Sequence, residues 1–259
     1  MDIMRMIDAH IHLDQYSDQE LTSLLDDSQS IHAMVTVSNH LTSCKRNLQL
    51  SQTFTKVKPA FGFHPEQPLP TDEEKSELLS WIDDHQDEMI AIGEVGLPYY
   101  LRLENKITAS HFDQYVELVE VFIQLAKKYD KPVVLHAVYE DAPVVCDLLE
   151  KHSILKAHFH WFKGDTNRIK RMIENGYFIS VTPDVVYKEE IQDIVAKVPL
   201  ERLMVETDGP WRFKGPFLGQ MTHPNMMEHS ISKIASIKKG KPTEVADILL
   251  QNTRDFYSI

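Results

Sequence analysis

Short apolar runs and helix-patterned stretches alternate from one end of this chain to the other, and this alternation limits its fold more than any other feature. The strand-like runs cover 4–9, 31–37, 57–63, 89–93, 132–136, 155–160, 177–182 and 202–207. Between 108 and 129, Phe112, Tyr115, Val116, Val119, Phe122, Ile123 and Ala126 recur at three- and four-residue spacing, as one face of an amphipathic helix requires. Thr71-Asp72-Glu73-Glu74 reads as a capping box opening the helix that carries Leu78, Leu79 and Ile82. Pro132 and Pro199 stand where helices stop, the second after a helix around 188–197. A loop over 209–224 and helices over 225–238 and 243–256 complete the order. Eight strand–helix units in succession predict an α/β fold of the (β/α)8 TIM-barrel type, with a doubly wound open sheet as the alternative. At 259 residues the chain has the length of one such barrel, so a single domain over 1–259 is expected.

Residue types that bind metals sit at the ends of these runs. His10 and His12 close the first, Met4-Arg5-Met6-Ile7-Asp8-Ala9. Residues i and i+2 of a strand share a face, so the two imidazoles are presented together. Glu94, His136, His160 and Asp208 close four later runs. In an open sheet these positions would be strung along a line. In a closed barrel all the strand ends ring one mouth, where barrel enzymes keep their active sites. Four neutral imidazoles and two carboxylates suit Zn, Mn, Fe or Ni, and with more water Mg. Two divalent ions sharing Glu94 as a bridge would use all six. Such a pair, about 3.5–4 Å apart, can hold a hydroxide between its members. Asp208 is then placed to ligate one ion and to act as general base toward the attacking water.

Composition narrows the setting. A net charge of -12 opposes broad attraction to nucleic acid or anionic membranes, although metal ions could still handle phosphates locally. No apolar stretch reaches the ~20 residues of a bilayer span, and Met1-Asp2-Ile3-Met4-Arg5 lacks the pattern of a signal peptide. Cys44 and Cys146 are far apart and form no disulfide framework or CxxC pair. A cytoplasmic protein with no membrane contact and no obligate protein partner is the expectation.

Ile7-Asp8-Ala9-His10-Ile11-His12, Gly62-Phe63-His64-Pro65, Ile92-Gly93-Glu94-Val95-Gly96-Leu97, the strand-end His136, His160-Trp161-Phe162-Lys163-Gly164 and Glu206-Thr207-Asp208-Gly209-Pro210 resemble, in order, the signatures of the TatD family. These are metal-dependent hydrolases of the amidohydrolase-like barrel group, commonly described as deoxyribonucleases. The resemblance runs from about residue 7 to 254. It implies that His10 and His12 bind one metal, His136 and His160 the other, that Glu94 bridges, and that Asp208 completes the first site. His64 would face the mouth as a substrate contact or would hold a ligand in place, although His-Pro also makes a sensible turn. The sequence departs from the family pattern beside the metals. Pro98 stands where the family usually has Asp. Trp161-Phe162-Lys163-Gly164 replaces Cys-Phe-Ser-Gly, and Met221-Thr222-His223-Pro224 replaces Arg-Asn-Glu-Pro. These changes touch no expected ligand and fall where substrate would lie.

The loop Trp211-Arg212-Phe213-Lys214-Gly215-Pro216-Phe217 interleaves aromatic and basic residues and could stack a base and neutralise a phosphate, or could simply cover the barrel rim. Arg102, Lys163, Arg212 and Lys214 are the candidate substrate cations. His158 shares a face with His160 and reads as a side chain one layer deeper in the barrel, with a rival ligand as the alternative. His223 is a further residue that could reach the mouth. Asp26-Asp27, Asp83-Asp84 and Glu189-Glu190 read as solvated charge. The functional expectation is hydrolysis of a phosphoester, with single-stranded DNA, a nucleotide or a small phosphoester as substrate. The alternatives are hydrolysis of an amide, lactone or ester on the same barrel, and a non-enzymatic module. Related barrels acting on C–N and C–O bonds usually bridge their metals with a carboxylated Lys, whereas this chain offers Glu94.

Overall fold

The computed structural model describes residues 4–26 and 30–259, so the reading of Met1-Asp2-Ile3 and of Asp27 falls outside it. Eight parallel strands pair in sequence order: β1 (Met6–Ile11), β2 (Ile31–Thr36), β3 (Val57–Phe61), β4 (Ala91–Gly96), β5 (Val133–His136), β6 (Ala157–Phe159), β7 (Phe178–Val181) and β8 (Leu203–Val205). The helices around them are α1 (Asp18–Asp26), α2 (Leu41–Thr53), α3 (Asp72–Asp84), α4 (Tyr99–Leu103), α5 (Ala109–Tyr129), α6 (Asp141–Lys151), α7 (Thr166–Glu174), α8 (Glu189–Lys197), α9 (Met227–Lys238) and α10 (Pro242–Tyr257). No helix among the described residues is long and apolar enough to cross a membrane.

The seam between β8 and β1 closes the ring at the mouth. Asp208 N–H donates to His10 O at 2.9 Å and His12 N–H to Gly209 O at 2.7 Å. Deeper in the seam the Asp8 carboxylate replaces a backbone acceptor, taking the Thr207 N–H at 2.9 Å as well as the Thr207 hydroxyl. The barrel is therefore the architecture, and the open-sheet alternative is set aside.

Local signals act as their chemistry requires. Thr71 Oγ1 accepts the Glu74 N–H at 3.2 Å and Glu74 Oε2 accepts the Thr71 N–H at 2.8 Å, which is the capping box opening α3. On α5, Tyr115, Leu118, Val119, Phe122, Ile123 and Ala126 are buried. Phe112 and Val116, expected on that face, are only partly covered. The helix ends at Asp130 in the left-handed conformation (φ 50°), and Pro132 then starts the approach to β5.

Two layers fill the barrel. The lower one joins Ala9, Val35, Ala60, Ala91, Val134 and Met204, from strands all around the ring, to Phe256 and Tyr257 at the end of α10. Side chains from so many strands touch only inside the ring, so the chain's last helix plugs the floor with two aromatics. The upper layer is polar and forms the site.

β4 runs to Gly96 and not to residue 93 as its apolar pattern suggested, so Glu94 lies within the strand. The two glycines flanking Glu94 hid this, because glycine carries no strand signal.

Candidate metal centre

The residues singled out at the strand ends meet around one carboxylate. Glu94 is fully buried, and its two oxygens face different partners. Oε2 lies 3.2 Å from His10 Nε2 and 3.3 Å from His12 Nε2. Asp208 Oδ1 is 3.4 Å from each of the same two nitrogens. Oε1 lies 2.6 Å from His160 Nε2 and 3.0 Å from His136 Nδ1, and those two nitrogens are 3.1 Å apart.

These spacings test whether the set fits metal ions. A tetrahedral ion with bonds of about 2.0–2.2 Å holds its donors about 3.3–3.6 Å apart. The Oε2 side already has that spacing, while the Oε1 side is drawn in to hydrogen-bond distances. Among the described residues, His10 Nε2 and Glu94 Oε2 are buried and make no hydrogen bond. Buried polar atoms without partners are costly, and a shared cation would satisfy them. The donor set therefore fits divalent ions.

Charge follows the same geometry. Burial alone would keep His12 neutral, but the Asp208 and Glu94 carboxylates beside it outweigh burial and raise the imidazole to about 10. Burial likewise opposes protonation of His160 and His136, yet Glu94 holds His160, and Glu66 with Glu94 holds His136, above the usual histidine range. The same imidazoles override burial and hold Glu94 and Asp208 below the usual carboxylate range. A cation entering this cluster would replace protons.

Backbone geometry sets the positions of the donors. A Cβ on Gly96 would fall 1.9 Å from His136 O, so only glycine lets β4 and β5 close together beneath the site. Asp208 (φ 49°) and Trp161 (φ 35°) adopt left-handed conformations just past β8 and β6. Asp tolerates that region, whereas for the bulky Trp161 it is an outlier costing about 1–3 kcal/mol. Two carboxylates hold it there. Glu206 Oε1 accepts the Trp161 backbone N–H at 2.7 Å, and Asp184 Oδ2 accepts its indole N–H at 2.9 Å.

His64 is brought closer to the cluster than its place in a turn suggests. Its Nε2 lies 3.5 Å from Glu94 Oε1, and its Nδ1 accepts the Glu66 N–H at 3.1 Å. Burial, reinforced by the neighbouring imidazoles, lowers it to about 4. A neutral ring that accepts at Nδ1 carries its proton on Nε2, so His64 directs an N–H toward the cluster.

The sequence suggests no role for two carboxylates that the structure places behind the His160 and His136 imidazoles. Glu206 Oε1 is 3.6 Å from His160 Nδ1, and Glu206 Oε2 accepts from the Ser180 hydroxyl at 2.5 Å. Glu66 Oε1 is 3.3 Å from His136 Nε2, and the carboxylate accepts the Tyr100 and Leu101 N–H groups at 2.7 and 2.8 Å. Carboxylates so placed orient ligand imidazoles. Glu206 could have been suspected from sharing a strand face with Asp208. Glu66 carried no such signal.

A cavity of about 530 Å³ opens over the cluster, lined among others by His12, His64, His136, His160 and Asp208 and walled by Tyr100, Trp161, Lys163, Lys188 and Trp211. Of the candidate cations only Lys163 lines it. Arg212 and Lys214 are exposed and do not border it, while Phe213 and Phe217 pack with Met226 as a rim cover. Arg102 pairs with the buried Asp141 and stacks 4.5 Å over Phe112. His223 accepts the Asn225 N–H at 3.1 Å and does not border the cavity. Lys188 is a cation of the wall that its sequence context did not reveal.

A family model described as TatD related DNase matches residues 7–258. An uncharacterized metal-dependent hydrolase of Haemophilus influenzae is 40% identical, covering 98% of this chain and all of the relative. The human protein named deoxyribonuclease TATDN3 is 29% identical over 95% of this chain and 92% of its own length. The crystal structure of YjjV, a TatD homologue from Escherichia coli, superposes with a TM-score of 0.87 at 25% identity, covering 99% of both chains.

Proposed function

The chain belongs to the TatD-related DNase family of metal-dependent hydrolases, and from that premise we propose that it uses two divalent ions to hydrolyse phosphoester bonds in nucleic acid or a nucleotide-like molecule. One observation carries the reading: the two oxygens of Glu94 face separate donor sets in a buried cluster that opens on a cavity. His10, His12 and Asp208 would hold one ion and His136 and His160 the other, with Glu94 shared. Divalent ions such as Zn, Mn or Mg held by these residues would supply Lewis acidity toward a phosphoryl oxygen and toward a water near neutral pH.

The protein groups do the rest. Asp208 borders the cavity, so its carboxylate is placed to take the proton of the attacking water. His64 also lines the cavity, and its Nε2–H would donate to a substrate oxygen there. Glu66 and Glu206 hold His136 and His160 in orientation. The net charge of -12 and a wall with two lysines suit a short or single-stranded substrate better than a duplex. The human relative's name supports a deoxyribonucleotide chain.

The test is add-back to chelator-stripped protein. Zn, Mn or Mg should restore turnover of bis-p-nitrophenyl phosphate and a single-stranded oligonucleotide, and Asp208→Asn should abolish turnover while metal is still partly retained. Restored turnover only of lactones or cyclic amides would replace the phosphoester reading. Full activity without metal would end the proposal.

A further inference from the structure

The two lysines of the cavity wall differ in one respect. Lys188 Nζ lies 2.8 Å from Asp184 Oδ2 and is neutralised by it. Lys163 is nine-tenths buried, yet among the described residues no carboxylate oxygen lies within 4.0 Å of its Nζ. Its hydrogen bond goes to the neutral phenol of Tyr100 at 2.7 Å, and the Trp161 ring centroid is 4.3 Å away. A cation–π contact and one neutral acceptor offset only part of the cost of taking an ammonium out of water. Burial, with Lys188 adding to it, lowers this ammonium from its ordinary value even though the more distant Asp184, Glu190 and Asp208 carboxylates act the other way.

The surroundings are rigid, so the charge is held ready. Trp161 is pinned through its backbone by Glu206 and through its indole by Asp184. Tyr100 is fixed through its backbone N–H by Glu66, and its ring centroid lies 6.1 Å from that of His136. One side chain therefore separates the Lys163 ammonium from the metal-ligand cluster.

We infer that Lys163 receives a second, non-reacting anionic group of the substrate, so that this chain selects esters carrying a phosphate or carboxylate beside the scissile bond. The inference rests on reading the cluster as a hydrolytic metal centre. It assigns a specificity role to the position where Lys163 replaces the small polar residue of the family pattern.

Matched substrate pairs test it on the metal-loaded enzyme. One pair is a thymidine dinucleotide with and without a terminal phosphate. The other is p-nitrophenyl acetate and mono-p-nitrophenyl succinate. The charged member should show kcat/KM roughly ten- to hundred-fold higher, the usual worth of a charge-assisted hydrogen bond. In Lys163→Met, which keeps the stem packed on Trp161, the ratio should fall to near one, mainly through KM. Preference in the dinucleotide pair assigns a phosphate. Preference in the succinate pair alone assigns a carboxylate, and it removes the phosphoester reading while leaving the role of Lys163 standing. If neither pair turns over, calorimetric titration with the two dinucleotides reads the same ratio as affinity. Equal treatment of both members by the wild-type enzyme, which needs no variant, overturns the inference, as does a preference that survives Lys163→Met.

Discussion

His158 and His160 leave β6 on the same face, two residues apart, yet one belongs to the barrel floor and the other to its mouth. His158 is fully buried with both nitrogens paired to neutral hydroxyls, Nδ1 with Tyr257 at 2.7 Å and Nε2 with Ser180 at 2.6 Å. Burial, with His10 and His160 nearby, keeps it well below the usual histidine range, so it is a neutral strut. His160 instead faces Glu94 through Nε2 at 2.6 Å and Glu206 through Nδ1 at 3.6 Å. Both imidazoles are buried, but Glu206 Oε2 stands off at 3.8 Å from His158 Nε2 behind the Ser180 hydroxyl, whereas His160 Nε2 meets Glu94 directly at 2.6 Å, and that difference distinguishes them. The floor is satisfied without an ion. The mouth holds its pairs at the cost of orphaned polar atoms, and a cation would resolve them.

Mutations can break this contrast or sharpen it. The largest effect is expected from Glu94→Gln, which removes the charge both donor sets share. Turnover should fall about a thousand-fold or more, since Lewis-acid stabilisation is worth several kcal/mol, and bound metal measured by mass spectrometry should fall with it. Glu206→Gln weakens the group behind His160 while its amide oxygen can still accept the Trp161 N–H, so metal affinity should drop about 10–100-fold, with the fold intact by circular dichroism. His158→Leu should do the reverse. Unpairing the Tyr257 hydroxyl should cost about 1–3 kcal/mol in a urea titration, while Ser180 keeps its bond to Glu206 and the activity of the folded fraction stays unchanged. Loss of metal in that variant would collapse the distinction between floor and mouth. The smallest effects should come from Arg212→Ala and Lys214→Ala, whose exposed side chains do not border the cavity. Stability should stay within about 0.5 kcal/mol and KM within about two-fold.

The architecture was legible because β/α alternation has few solutions, and because closing the ring gathers strand ends that an open sheet would scatter. The His10–His12 pair could be read from the two-residue period of a strand. The capping box at Thr71 and Glu74 was equally plain, being a local device. Glu66 was not legible, since its approach to His136 depends on the loop after β3 meeting the start of α4, a contact between segments 34 residues apart. Lys188 was hidden for the same reason. The loop at 211–217 left both a substrate contact and a rim cover open, because composition gives a segment's chemistry and not its direction. Phe213 and Phe217 anchor it inward, and the neighbouring Arg212 and Lys214 turn to solvent.

Anomalous diffraction from crystals grown with Mn or Zn tests the central claim most directly. The account predicts two peaks, one against each oxygen of Glu94, the first also bounded by His10, His12 and Asp208 and the second by His136 and His160. A single ion that leaves Glu94 free, or peaks lying elsewhere on the chain, would contradict it.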